Sequence, residues 1–261
     1  MRIAVIGGGG MGRWFARRFV PKREVAVYDI QPEKKRILRE IHPLGHLSEL
    51  GDFTPDILLN AVDIRNTIGV FRSATPHLKG DCILADIASI KGELPRYYQD
   101  CGFPYLSFHP MFGPGFNHGQ QRRENVIIIS ESDERAKRFL IDFFQEYPVT
   151  IHELPFSRHD AQMAHSLTLP FASSIVFAAC MKGGQVPGTT FARHEGMAAR
   201  LLREDDHLLS EILFNPHSVK QLDRIGSRLQ FLKHIIMGRD YPEVRRFLGQ
   251  LRENLEKRKG F

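Results

Sequence analysis

Four consecutive glycines follow the first apolar segment of the chain, and they constrain its fold more than any other feature. Arg2–Ile6 is short and apolar, as expected of a buried strand, and Gly7 follows it directly. A helical spacing of apolar residues begins at Met11 and ends at Pro21. Residues 24–29 form a second apolar run and complete a strand, helix, strand unit. Such a unit predicts a parallel sheet that is covered by helices.

The alternation of strands and helices continues through the first half of the chain. Further strands are predicted at 57–62, 82–87, 105–109 and 125–130, and further helices at 33–40, 67–78, 90–100 and 132–147. After about residue 155 the apolar spacing is helical, in the segments 161–181, 197–213, 218–237 and 242–255. The sequence therefore predicts an α/β fold, with a Rossmann-type doubly wound parallel sheet over residues 1–153 and an all-α C-terminal domain over residues 154–261.

Composition argues against several classes of protein. Of the 261 residues, 42% are apolar and 25% are charged, which is typical of a globular chain. The 36 Lys and Arg residues exceed the 30 Asp and Glu residues, but they are interleaved with acids, which argues against nucleic-acid binding and favours small anionic ligands. No apolar stretch reaches the roughly 20 residues of a membrane helix, and we expect no cleavable leader, because Met1 runs directly into a strand-like segment. The three cysteines lack metal-ligand spacing, so we expect a cytoplasmic protein with reduced thiols and no metal.

Gly7, Gly9 and Gly12 form a G-x-G-x-x-G motif between the first strand and the first helix. In this context the first glycine permits a tight turn, the second lets the backbone approach a pyrophosphate, and the third allows close packing of the helix. The helix N-terminus adds unpaired N–H groups and the positive end of the helix dipole. We therefore predict a dinucleotide site that also includes Gly10 and Met11. The alternative is a glycine-rich turn without a ligand.

Asp29 ends the second predicted strand, roughly 20 residues after the glycine motif begins. At this position an acidic side chain accepts hydrogen bonds from the adenosine ribose hydroxyls and repels a 2′-phosphate. Because no arginine follows Asp29 directly, the sequence favours NAD over NADP, although Lys34, Lys35 or Arg36 offers a cation for a phosphate. The alternative is that Asp29 only caps a loop.

Polar side chains follow two neighbouring predicted strands, at the edge where open α/β sheets bind their ligands. Ser89 and Lys91 come after the strand at 82–87, and His109 ends the next strand. A neutral imidazole accepts a hydroxyl proton near pH 7 while a hydride leaves the same carbon. Plainer interpretations remain open, with Ser89 as a helix N-cap, Lys91 as a solvated lysine and His109 as a structural loop residue.

Two segments resemble the nucleotide-binding domain of the prephenate dehydrogenase family of tyrosine biosynthesis. DIASIK at 86–91 is similar to the family's D-[IV]-x-S-x-K, and HPMFGP at 109–114 is similar to its H-P-M-F-G-P. The pair His159-Asp160 and the pattern around Arg200 extend the resemblance to residues 1 to about 235. The H-P-M-F-G-P element is the most specific part.

The resemblance implies oxidative decarboxylation of prephenate to 4-hydroxyphenylpyruvate with reduction of NAD, in a homodimer whose helical domains intertwine. It implies that His109 accepts the proton of the C4 hydroxyl and that Ser89 hydrogen-bonds this hydroxyl and the histidine. It also implies that Arg200 binds the ring carboxylate. These residue types suit such roles, because a guanidinium matches a carboxylate bidentately and imidazole titrates near neutral pH.

Phe171 is a departure, because it stands where family members usually place a histidine of the pocket. We expect Phe171 in a pocket wall or the core and His165 on a polar helix face, with Arg193 and His194 as further cations for the side-chain carboxylate. Because of this departure, arogenate dehydrogenase remains an alternative. A separate alternative is a non-catalytic regulatory protein that binds a nucleotide. A 3-hydroxy acid dehydrogenase is disfavoured, because its catalytic lysine in the first long helix has only Lys182 as a counterpart here.

Overall fold

Strands and helices alternate through the first half of the chain, and helices follow in the second half. The computed structural model describes residues 1–35, 38–117, 119, 123–184 and 186–258. The strands are β1 (Arg2–Ile6), β2 (Glu24–Tyr28), β3 (Ile41–Pro43), β4 (Ile57–Asn60), β5 (Ile83–Asp86), β6 (Tyr105–Pro110), β7 (Glu124–Ile129) and β8 (Val149–Leu154). The helices are α1 (Gly10–Phe19), α2 (Pro32–Lys35), α3 (Leu50–Phe53), α4 (Thr67–Ala74), α5 (Leu94–Asp100), α6 (Glu134–Phe144), α7 (Phe156–Met163), α8 (Leu169–Ala179), α9 (Thr189–Leu201), α10 (Asp206–Leu213), α11 (Ser218–Gly238) and α12 (Tyr241–Arg258). Over the described ranges, no helix combines the length and the apolar character needed to cross a membrane.

The strands form one sheet in the order β3-β2-β1-β4-β5-β6-β7-β8. Neighbouring strands are parallel, except that β6 and β7 are antiparallel. The predicted α/β class with a doubly wound parallel sheet is confirmed, with one departure, because β7 runs antiparallel to β6. The described residues between β6 and β7 contain no helix. An antiparallel neighbour requires none, whereas a parallel strand is reached by a crossover connection.

Both faces of the sheet are buried, as near-continuous apolar strands predict. Alternate residues of β1 point to opposite faces, so that Ile3 and Val5 join one core cluster while Ala4 and Ile6 join another. The first cluster is closed by aromatic side chains of α1 and α6, and the second by apolar side chains of α3, α4 and α5. The sheet is therefore a rigid support for the loops at its carboxyl edge.

Several predicted boundaries are wrong. The described part of the helix predicted at 33–40 is α2, Pro32–Lys35, and residues 38–40 are not helical; Arg36 lies outside the described residues. The sequence does not predict the two edge strands, β3 and β8. β3 has only three residues, and in β8 only Val149 is buried. The helix predicted at 90–100 begins at Leu94, because Gly92 has a left-handed φ of 45° that a helix does not continue.

The helical half contains one interrupted helix and one divided helix that the sequence predicts as continuous. A π-helical turn, Ala164–Thr168, joins α7 to α8. Pro170, the second residue of α8, follows this turn and lacks the N–H that a regular helix requires. The helix predicted at 197–213 is divided into α9 and α10, because Asp205 caps α10 by accepting hydrogen bonds from the backbone of His207 and Leu208. The predicted domain boundary at 153/154 falls at the end of β8, just before α7 begins.

Candidate active site

The turn between β1 and α1 shows what each glycine of the motif provides. Gly7 has a φ of 98°, and a Cβ atom there would lie 2.7 Å from the carbonyl oxygen of Ala61. A Cβ atom at Gly12 would collide with the carbonyl oxygen of Gly7. A Cβ atom at Gly9 would meet nothing within 4 Å, so the backbone there faces open space. The turn is therefore closed on its inner side and accessible to a ligand on its outer side.

A cleft of about 590 Å³ lies beside this turn. It is lined by residues that follow β1, β2 and β4, among them Gly7, Gly9 and Asp29. The carboxylate of Asp29 accepts backbone hydrogen bonds from Gly8 at 2.7 Å and from Gln31 at 2.8 Å. Asp29 therefore stabilises the turn and also lines the cleft. The loop-capping interpretation holds, and the side chain still lies where the cofactor prediction requires it.

Two predicted cofactor residues lie beside the cleft without lining it. A proline side chain lies 3.0 Å from where Gly10 would carry a Cβ atom, and Met11 packs against the core. Lys34 lines the cleft, whereas the ammonium of Lys35 donates to a backbone carbonyl at 2.9 Å. Of the two described lysines that could bind a 2′-phosphate, Lys34 therefore lines the cleft and Lys35 does not.

A buried ion pair lies at the carboxyl end of β5. Lys91 Nζ donates to Asp86 Oδ1 at 2.7 Å and to the carbonyl oxygen of Phe108 at 2.9 Å. The other oxygen of Asp86 accepts from the Tyr98 hydroxyl at 2.8 Å. Only 1% of the Lys91 side chain is exposed, so the interpretation of Lys91 as a solvated lysine is wrong. Burial lowers the pKa of Lys91, and the adjacent carboxylate opposes this shift. The pair ties the loop after β5 to the residue that precedes His109.

His109 lies on β6, with 4% of its surface exposed. Its Nδ1 is enclosed and has no hydrogen-bond partner, whereas its Nε2 is not enclosed. Burial lowers the pKa of His109 well below its usual value, and the neighbouring His159 and Lys91 lower it further, while Asp160 opposes them. The imidazole is therefore neutral at pH 7, which is the form that accepts a proton.

His159 and Asp160 of α7 pack against this histidine. The ring centroids of His109 and His159 are 5.5 Å apart. His159 Nδ1 lies 2.8 Å from Asp160 Oδ1, and the enclosed His159 Nε2 has no partner. Asp160 also accepts the backbone N–H groups of Lys91 at 2.8 Å and Gly92 at 2.9 Å. Burial raises the pKa of Asp160, but the hydrogen bonds from these three residues outweigh it and lower the pKa overall.

Ser89 and His109 share one edge of the sheet, whereas Arg200 lies on α9 in the helical half. Ser89 is half-buried in the loop between β5 and α5. Because α5 begins at Leu94, the interpretation of Ser89 as a helix N-cap is wrong. Its hydroxyl forms no hydrogen bond to any residue that the structure describes. Arg200 is exposed on α9, where its Nε donates to the carbonyl oxygen of Gly196 at 3.3 Å.

The remaining candidates for the substrate side chain lie on the helical half. Phe171 is half-buried on α8, and His165 is half-buried in the π-helical turn. Arg193 and His194 are exposed on α9, and His194 Nδ1 lies 3.0 Å from a backbone carbonyl one turn earlier. The half burial of Phe171 is compatible with either a pocket wall or the edge of the core.

Asp86, Tyr98 and Asn215 hold the site together, although the sequence alone predicts no role for them. Asp86 and Tyr98 complete the ion pair of Lys91, and the Asn215 amide donates to the carbonyl oxygen of Asp160 at 2.8 Å. Asp86 could have been found from the sequence, because a carboxylate that ends an apolar strand is expected to be buried, and a buried charge requires a partner. Tyr98 and Asn215 have no comparable signal, because their partners are distant in sequence.

The family comparison covers the sheet edge that carries Ser89 and His109. Residues 15–138 match the family model described as prephenate dehydrogenase, nucleotide-binding domain. The resemblance to the prephenate dehydrogenase family is confirmed. The match includes both HPMFGP and DIASIK, and it ends before β8.

Relatives of this family cover most of the chain. A probable arogenate/prephenate dehydrogenase of Methanocaldococcus jannaschii is 27% identical over 92% of the chain and 58% of its own length. The T-protein of Enterobacter agglomerans is 24% identical over 83% of the chain and 57% of its own length. Arogenate dehydrogenase 2 of Arabidopsis thaliana, which is chloroplastic, is 21% identical over 94% of the chain and 73% of its own length. The chain thus spans less than two thirds of the first two relatives, and the names include both substrates.

Solved structures show the same fold. Prephenate dehydrogenase from A. aeolicus, in complex with hydroxyphenyl propionate and NAD+, has a TM-score of 0.81 at 18% identity, with 98% of each chain covered. Arogenate dehydrogenase from Synechocystis has a TM-score of 0.74 at 19% identity, covering 98% of this chain and 99% of that one. At these identities the likeness shows the fold alone. It includes the helical half of the chain, which the family model does not match.

Proposed function

We propose that the chain oxidises and decarboxylates prephenate to 4-hydroxyphenylpyruvate with reduction of NAD, a step of tyrosine biosynthesis. The observation that carries the proposal is His109, a neutral imidazole whose Nδ1 is enclosed and whose Nε2 is not. It lies at the carboxyl edge of a sheet that also carries a dinucleotide-type glycine turn. The names of the relatives and the shared fold support the same chemistry.

The glycine turn and its cleft fit NAD. Gly9 leaves the outer face of the turn open, where a pyrophosphate would lie against the N-terminus of α1. Asp29 would accept the ribose hydroxyls of the adenosine half in the cleft, and its charge favours NAD over NADP. Bound NAD would accept the hydride that leaves C4 of the substrate.

The residues at the sheet edge would accept and return the proton of the hydroxyl group on the same carbon. His109 Nε2 accepts the proton of the C4 hydroxyl as the hydride departs, since the neutral ring holds a free lone pair. Loss of the ring carboxylate as carbon dioxide leaves its bonding electrons to the ring, which becomes aromatic. His109 then returns the proton to the phenolate oxygen, so the reaction releases no net proton.

Two further residues would bind the substrate. Ser89, whose hydroxyl is free of partners among the described residues, would hydrogen-bond the C4 hydroxyl and His109. Arg200 would bind the ring carboxylate through two parallel hydrogen bonds. Because Arg200 is exposed on α9, this role requires the guanidinium to leave its hydrogen bond to Gly196.

Arogenate is the second candidate substrate, and Phe171 is the observation that favours it. This uncharged side chain stands at the position where the family usually has a histidine, so it offers no positive charge to a keto acid side chain. Arogenate carries an amino group in place of that keto group, and two of the relatives are named for it.

A homodimer is supported by the surface of the last two helices. Large apolar side chains are exposed along α11 and α12, namely Leu222, Leu229, Leu232, Ile236, Leu248, Leu251 and Leu255. Within each helix these side chains recur at helical spacing and so share one face, and an exposed apolar face of this kind marks an interface. Light scattering from the purified chain should give twice the monomer mass; the mass of a monomer at micromolar concentration would contradict this part of the proposal.

The function is tested by assaying the purified protein with prephenate and with arogenate, each with NAD and with NADP. We expect NADH to form from prephenate, together with 4-hydroxyphenylpyruvate and carbon dioxide. Faster turnover of arogenate would establish the second candidate. Nucleotide binding without reduction in all four combinations would overturn the enzymatic proposal and leave the non-catalytic alternative.

A further inference from the structure

Two buried imidazole nitrogens of the site have no hydrogen-bond partner. They are Nδ1 of His109 and Nε2 of His159, and both atoms are enclosed. Buried polar atoms in proteins are nearly always hydrogen-bonded, so an enclosed nitrogen without a partner calls for an explanation. Here the two rings are neighbours, with their centroids 5.5 Å apart.

The contact with Asp160 decides which nitrogen of His159 carries the proton. A carboxylate only accepts hydrogen bonds, so His159 Nδ1, at 2.8 Å from Asp160 Oδ1, must be the donor. Asp160 cannot turn away, because its two oxygens also accept the backbone N–H groups of Lys91 and Gly92. In the neutral ring the enclosed His159 Nε2 is therefore an acceptor.

The charged groups around the two rings leave both of them neutral. Lys91 and Asp86 face them from β5 and the loop that follows it, and Asp160 faces them from α7. Burial lowers the pKa of both His109 and His159; Lys91 adds to each shift, and Asp160 opposes it. A hydrogen bond between the rings therefore joins two neutral imidazoles, one as donor and one as acceptor.

We propose that His159 is a positioning residue for His109, because its Nε2 accepts a hydrogen bond from His109 Nδ1–H, directly or through one water molecule. This bond completes a chain from Asp160 through His159 to His109. It fixes His109 in the tautomer whose lone pair is on Nε2, the nitrogen that is not enclosed. A proton acceptor in a dehydrogenase requires this tautomer, so the inference rests on the proposed function.

A small adjustment closes the bond. At a centroid separation of 5.5 Å, the two nitrogens can come within hydrogen-bond reach if the His109 ring rotates, and a bridging water molecule would serve nearly as well. Hydrogen bonds of catalytic groups are commonly long in the free protein and shorten when substrate binds.

The test compares His159→Asn with His159→Gln. The asparagine amide can replace the Nδ1–H donor to Asp160 but places no atom at Nε2, whereas the glutamine carbonyl places an acceptor near the Nε2 position. With prephenate or arogenate as substrate, His159→Asn should lower kcat by about 10- to 100-fold, with the NAD dissociation constant unchanged. His159→Gln should recover most of that loss. The exposed His42→Asn serves as the control.

A second readout does not depend on turnover. Nitrogen-15 NMR of labelled imidazoles should show His109, assigned by its loss in His109→Asn, as the neutral Nδ1–H tautomer in the wild-type chain. In His159→Asn this signal should change toward the Nε2–H tautomer. If the tautomer of His109 and kcat are both unchanged in His159→Asn, the inference is overturned. If the wild-type chain turns over neither substrate, the proposed function fails, and the tautomer of His109 alone decides whether the hydrogen bond exists.

Discussion

Lys91 Nζ lies 2.7 Å from Asp86 Oδ1, and the two side chains are 1% and 0% exposed. The same ammonium donates to the carbonyl oxygen of Phe108, the residue before His109. The ion pair therefore links the loop that carries Ser89 to the strand that carries the proposed proton acceptor. Its contribution is geometric, since the pair holds two chain segments in one arrangement.

Replacing Lys91 by methionine should destabilise the fold strongly. The buried Asp86 would lose its cation and keep the hydrogen bond from Tyr98, so the free energy of unfolding should fall by about 3 to 5 kcal/mol. Urea denaturation measures this change. The control is the exposed Lys79→Met, and a loss below about 1 kcal/mol for Lys91→Met would contradict the role assigned to the pair.

Two glycine substitutions should separate nucleotide binding from folding. Gly9→Ala fills open space, so the thermal midpoint should change little while the affinity for NAD falls by about tenfold or more. Gly12→Ala collides with the backbone of Gly7, so the fold itself should be lost or severely weakened. Calorimetric titration and thermal melting distinguish the two. Gly51→Ala, in α3, is the control, and unchanged NAD affinity in Gly9→Ala would remove the turn from the cofactor site.

The fold is largely predictable from the sequence, because buried strands and amphipathic helices have different apolar periods. β1, β4, β5 and β6 are fully or nearly fully buried strands, and their apolar runs locate them. The strands that sequence analysis misses, β3 and β8, lie at the edges of the sheet, where fewer residues need to be apolar. The antiparallel direction of β7 depends on the connection that precedes it, which apolar periodicity does not report.

The site is predictable only in part. The carboxyl ends of β5 and β6 meet at one edge, so the placement of Ser89 and His109 at the same edge follows from the predicted sheet. The burial of Lys91 does not follow, because its partners come from two different strands. The contact between His109 and His159 depends on how α7 packs against the sheet, which is a tertiary relationship that periodicity does not encode.

The stability of the chain should decrease in mild acid. Burial lowers the pKa of His109 and of His159, so below about pH 6.5 the unfolded chain binds more protons than the folded one. Each histidine should therefore lower the free energy of unfolding by up to about 1.4 kcal/mol per pH unit as the pH falls through this range. Urea midpoints measured between about pH 7.5 and about pH 5.5 test this dependence. His109→Asn should weaken it and His42→Asn should not; equal dependence in all three proteins would contradict the assigned burial.

Arg200→Ala should weaken substrate binding more than it lowers the turnover of bound substrate. If the guanidinium binds the ring carboxylate, its removal should raise the KM for prephenate by about tenfold or more, since charge-assisted hydrogen bonds contribute about 1.5 to 3 kcal/mol. Steady-state kinetics with saturating NAD provide the measurement. Arg203→Ala, an exposed arginine just after α9, is the control. A KM that is the same in both variants and the wild type would exclude Arg200 from the site.

His109 is the proposed acceptor of the substrate hydroxyl proton, and the turnover of His109→Asn tests this role most directly. General base catalysis contributes about 10² to 10⁴ in rate, so kcat should fall by that factor, or about 3 to 5 kcal/mol in barrier height. The dissociation constant for NAD should stay unchanged, because the glycine turn is intact. A variant that binds NAD normally and turns over at the wild-type rate would contradict the account.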